Sequence, residues 1–124
     1  MELQDINALV LAASTLLGVK PLPTKVVKSH VFWAQTCNSC ETRRFNISES
    51  LLSYGEPNFV KFVITHEVCH VALGHNGSTV LKLGTVEADK QADICARRVL
   101  GWSELLQEFW AARAETWERN QRRH

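Results

Sequence analysis

Three side chains close together in the chain carry the chemistry: His66, Glu67 and His70, in the run His66-Glu67-Val68-Cys69-His70. Residues four apart on a helix lie on one face, so His66 and His70 can aim two imidazoles at one metal ion, and zinc is the metal expected there. Glu67 is offset from that geometry and cannot complete it as a third ligand. It can sit beside the water that the metal activates and take its proton, which is the role of a general base.

A catalytic zinc site takes three protein ligands and keeps one position open. His75 is the next histidine, but a metzincin-type motif places its third histidine six residues beyond the second, and here the gap is five. The acidic run Glu87-Ala88-Asp89-Lys90-Gln91-Ala92-Asp93 is a better source. Asp89 and Asp93 share a helix face. One can ligate the metal while the other accepts a hydrogen bond from a ligand histidine and fixes its tautomer; acids also favour a helix start for electrostatic reasons alone.

The elements that must position these groups follow from periodicity. Leu3, Ile6, Leu9 or Val10, Ala13 and Leu17 recur at helical spacing until Gly18, Pro21 and Pro23, which predicts a helix over 3–17. Residues 26–33 and 43–47 are rich in β-branched and aromatic types and read as two strands of a hairpin, with Cys37 and Cys40 flanking its turn at Asn38-Ser39. A short helical turn is expected over 48–54. The motif helix should run over 58–73, with Pro57 in its first turn and Gly74 as its stop; it is apolar on nearly every side and therefore belongs in the core. After a turn at Gly77-Ser78 come helices over 86–100 and 103–119, the last with an apolar stripe of Leu105, Leu106, Phe109, Trp110, Ala114 and Trp117.

At 124 residues, with 45% hydrophobic and 22% charged residues, the chain suits one globular domain, 1–124, of the α+β class. Fourteen Lys and Arg against thirteen Asp and Glu leave a net charge of +1, so no overall field selects nucleic acid or an anionic membrane. The terminal basic cluster Arg119, Arg122, Arg123 and His124 reads as a solvated helix end. Leu9 to Val19 is too short to span a membrane, and Glu2 and Asp5 stand where a signal peptide would be positive, so a soluble cytoplasmic protein is expected. Accordingly Cys37, Cys40, Cys69 and Cys95 are expected as reduced thiols; the lone Cys37/Cys40 pair lacks the second pair of a zinc ribbon.

The run from His66 to His75 resembles the motif helix of gluzincin metallopeptidases, in particular the minigluzincins and HtpX-type peptidases, where a histidine five residues past the motif is not a ligand. Residues 89–100 resemble the E-x-x-A-D helix of the same group, and ImmA/IrrE-type peptidases are more distant kin. The likeness covers roughly residues 40–101. It implies a small zincin-like α+β domain and places the third zinc ligand at Asp89, where the group has glutamate, with Glu87 as fallback and Asp93 supporting the ligands. It also implies a substrate strand lying along 43–47 by β-augmentation.

The expected activity is hydrolysis of peptide bonds in a peptide or protein substrate, with one zinc per chain and Glu67 as base. The competing reading is a zincin-fold protein of little or no activity that binds a partner, kept open by aspartate at position 89. Tyr54, His75 and His30 are candidates to stabilise the oxyanion. Trp110 and Trp117 on the last helix either pack against the core or cover the cleft.

Overall fold

The computed structural model describes residues 1–38, 40–75 and 85–122. The expected turn at Gly77-Ser78 with its linking segment, Ser39 of the hairpin turn, and Arg123 and His124 lie outside the described residues. Helix α1 (Leu3–Leu17) has the predicted limits and presents Ile6, Val10 and Ala13 to the core. Strands β1 (Thr24–Val27), β2 (Ala34–Cys37) and β3 (Arg44–Ser48) follow, then α2 (Glu49–Tyr54), α3 (Pro57–Ala72), α4 (Thr85–Leu100) and α5 (Glu104–Arg122). Among the described residues this is an α+β fold of five helices and one three-stranded sheet.

The strand expected over 26–33 stops at Val27. Ser29 Oγ accepts the Val31 N–H at 3.1 Å, a local turn that competes with strand pairing and leaves Val31 93% exposed. The chain resumes as β2, and the two pieces pair on opposite sides of β3: β1 parallel to it, β2 antiparallel. The sheet order is thus β1-β3-β2. β3 is the central strand, which corrects the expectation that a substrate strand could add along 43–47, since both edges of that strand are already paired.

Phe45 and Ile47 of β3 meet α1 and α3 in the main core, with Leu51, Phe59, Val60, Ile64 and Val68. α3 starts on a cap in which Glu56 accepts the Phe59 N–H at 2.9 Å, with Pro57 in the first turn. Against its other side lies α4, whose Ala88, Ala92 and Ala96 recur every four residues and are at most 1% exposed. Small side chains along that line let the two helix backbones approach closely. Their closeness decides how far an acidic side chain on α4 must reach.

The buried face of α5 is rotated from the predicted stripe. Gln107, Trp110, Ala111, Ala114 and Trp117 turn inward, whereas Leu105 and Phe109 are 77% and 51% exposed. Trp33, Tyr54, Phe59 and Trp117 form an aromatic cluster that ties α5 to the sheet and to α3. Among the described residues no helix is long and apolar enough to cross a membrane.

Candidate metal centre

His66 and His70 project from one face of α3, and their Nε2 atoms lie 3.1 Å apart. Asp89 Oδ1 reaches from α4 to 3.1 Å from His70 Nε2 and 3.4 Å from His66 Nε2. Three donor atoms from three residues thus close a small triangle. Glu67 stands beside it, with Oε2 3.8 Å from His66 Nε2. The group His66, Glu67 and His70 could hold a metal ion, its ligand atoms lying within 4.8 Å of one another.

Each group has an outer partner. His66 Nδ1 is 2.7 Å from Asp93 Oδ1, one turn beyond Asp89 on α4, so the two acids divide their contacts between the Nε2 edges of the histidines and the back of His66. Glu67, only 6% exposed, accepts a hydrogen bond from the Thr36 hydroxyl on β2 at 2.8 Å. His70 Nδ1 is 2.9 Å from His75 Nδ1, and His75 Nε2 is 2.9 Å from Gln91 Oε1. Glu87, the fallback ligand, faces solvent and pairs with Lys90 at 3.5 Å instead.

The electrostatics are uneven. Burial alone would lower the His66 pKa, but the hydrogen-bonded Asp89 and Asp93, with Glu67 nearby, outweigh it and raise it to about 10. His70 is lowered to about 4, by burial first and by its neighbour His66 second. Burial raises Glu67 to about 7, against the opposing pull of His66 and Thr36. Hydrogen bonding to His66 holds Asp89 below its usual value. A carboxyl group poised near neutrality in such a cluster can both take and return a proton at physiological pH.

Two cavities flank the cluster. One, of about 210 Å³, is walled by Trp33, Phe59, Phe62, Val63, Trp102 and Trp110, with His66 and Glu67 at its edge. The other, of about 350 Å³, is bordered by Gln35, Thr36, Asn38, His70 and Asp89. β2 runs from the first cavity to the second, and among the described residues it is a terminal strand of the sheet. Trp110 therefore lines the apolar cavity, and Trp117 packs on Trp33 and Tyr54.

The candidates for oxyanion stabilisation are not brought to the cluster as free donors. His75 is buried with both ring nitrogens engaged, the Tyr54 ring packs against Trp33, Phe59 and Trp117, and His30 is exposed beyond β1.

Cys37 and Cys40 form a disulfide, contrary to the expectation of reduced thiols. β2 ends at Cys37, whose Cα lies 5.7 Å from that of Cys40, within disulfide reach. Cys69 and Cys95 are free, and Cys69, buried on the face of α3 that meets α4, has its thiol pKa raised by burial and by Cys95. Thr36, Gln91, Trp33 and Trp102 were not singled out by sequence. Each reaches the cluster or a flanking cavity through a long-range contact, which leaves no local signal. No protein family, curated protein or solved structure matches the chain.

Proposed function

We propose that the protein is a zinc-dependent peptidase whose zinc is held by His66, His70 and Asp89. The observation that carries this reading is the triangle of His66 Nε2, His70 Nε2 and Asp89 Oδ1, with sides of 3.1, 3.1 and 3.4 Å. Zinc bonds of about 2.0–2.1 Å in tetrahedral geometry require ligand atoms about 3.3–3.4 Å apart. The donor set, two imidazoles and one carboxylate, is one that catalytic zinc accepts with a position left open. The close approach of α4 along its alanine line answers the shortness of aspartate at this place.

Zinc, when bound, would polarise the scissile carbonyl and make water a stronger acid and nucleophile. Glu67 takes a proton from the attacking water and returns it to the leaving amine. Thr36 holds the second carboxylate oxygen, so the first stays aimed at the triangle. An extended substrate adds to the outer edge of β2 rather than to β3. The neighbouring apolar cavity then takes a large apolar or aromatic side chain flanking the scissile bond.

The test is Glu67→Gln, which keeps size and hydrogen bonding but removes the base. Zinc content should stay at one per chain while peptide hydrolysis falls about 10²- to 10⁴-fold. Undiminished hydrolysis in that variant would sink the mechanism. A zinc-loaded wild type that cleaves no peptide would favour the binding-protein reading.

A further inference from the structure

His75 is 2% exposed and belongs neither to the triangle nor to either core cluster. Its position is set by the way α3 ends. Gly74 adopts φ of 72°, its N–H donates to Val71 O at 3.1 Å, and the His75 N–H donates to His70 O at 2.8 Å. These are the paired bonds of a Schellman cap, which folds the chain back over the last helical turn. The turn it folds over is the one that carries His70, and Arg43 donates to the His75 carbonyl from the other side at 3.4 Å. The ring is thereby fixed between His70 and Gln91, 2.9 Å from each.

Proton positions in this chain follow from its two ends. Gln91 Oε1 is a carbonyl oxygen and can only accept, so His75 carries a proton on Nε2, and a ring with that one proton leaves Nδ1 as an acceptor. His70 must then donate from Nδ1, which frees the Nε2 lone pair on the side facing Asp89 and His66. We infer that His75 is the positioning residue for His70: with Gln91 it fixes the His70 ring and its tautomer so that Nε2 is presented to the metal. An imidazole here has the place that a carboxylate or backbone carbonyl usually fills behind a metal-binding histidine. The inference rests on the zinc reading above.

The test combines zinc affinity, by competition with a chromophoric chelator, with ¹⁵N NMR of the zinc-loaded wild type. Two variants separate positioning from packing. His75→Leu keeps the branched shape without an acceptor, and His75→Asn sets a carbonyl oxygen where Nδ1 stood. His75→Leu should lose about 10- to 100-fold in zinc affinity, and His75→Asn should recover most of that loss. In the wild type the His70 proton should be on Nδ1 and the His75 proton on Nε2, with a scalar coupling across the Nδ1–H···Nδ1 bond. Wild-type affinity in His75→Leu, equal losses in both variants, or a His75 proton on Nδ1 would each overturn the positioning role while the zinc site stands. A wild type that takes up no zinc overturns both readings.

Discussion

The two histidines of the motif share a helix face but face different surroundings. His66 is backed by the carboxylate of Asp93 and opens onto a cavity walled by Trp33, Phe62, Trp102 and Trp110. His70 is backed by His75 and Gln91 and borders a groove of Gln35, Thr36 and Asn38. The outcome is opposite: His66 is held protonated, to about pH 10, while His70 is held neutral, down to about pH 4. Four residues of one helix separate the two. The difference comes from burial and from the charges near each ring: Asp89 and Asp93 outweigh burial at His66, whereas burial and the neighbouring His66 hold His70 down, so the motif places two histidines and the fold sets their protonation.

The largest effect should come from pH. In the zinc-free protein the His66 pKa is raised from its usual 6.5 to about 10, so between pH 6 and 8 zinc must displace a proton from it. Zinc affinity should therefore rise by about tenfold per pH unit, about a hundredfold across that range, in chelator-competition titrations. The sign for stability is the reverse: because the folded pKa is raised, His66 stabilises the zinc-free fold below its unfolded pKa and loses that contribution as pH climbs towards 10. A pH-independent affinity would mean that the two histidines do not differ in this way.

Next in size is Asp93→Asn, which removes the charge behind His66 and leaves the His70 side untouched. Zinc affinity corrected for proton competition should fall about 10- to 100-fold, and its pH dependence between pH 6 and 8 should flatten because the His66 pKa drops towards its ordinary value. An unchanged pH slope would assign the raised pKa to Asp89 and Glu67. The smallest effect concerns the cavities. Trp110→Ala opens the apolar wall, and kcat/KM should fall about tenfold for peptides with a large apolar residue beside the scissile bond, while those with alanine there change little. Equal losses for both peptides would place the substrate side chain elsewhere.

Much of this arrangement is legible in the sequence, and what is not has a common cause. α1 and α3 carry strong periodicity and stop signals, so their limits follow from residues within the helices themselves. The i, i+4 spacing of Asp89 and Asp93 likewise foretells that both face α3. The break of the first strand at Ser29 depends on one side-chain hydrogen bond, and the parallel pairing of β1 with β3 joins segments that have no local reason to meet. The same holds for Thr36 on Glu67 and for Trp110 in the cavity wall. In α5, the residues with the greatest hydrophobicity, Leu105 and Phe109, are not the ones that face inward, because Trp33, Tyr54 and α3 select the face with Trp110, Ala114 and Trp117.

The central claim is that Asp89, and not Glu87, completes the metal site. Its most direct test is the zinc content of protein purified without added metal, for the wild type beside Asp89→Ala and Glu87→Ala. The account predicts one zinc per chain in the wild type and in Glu87→Ala, and none in Asp89→Ala. Full zinc in Asp89→Ala, or none in the wild type even after reconstitution, would contradict it.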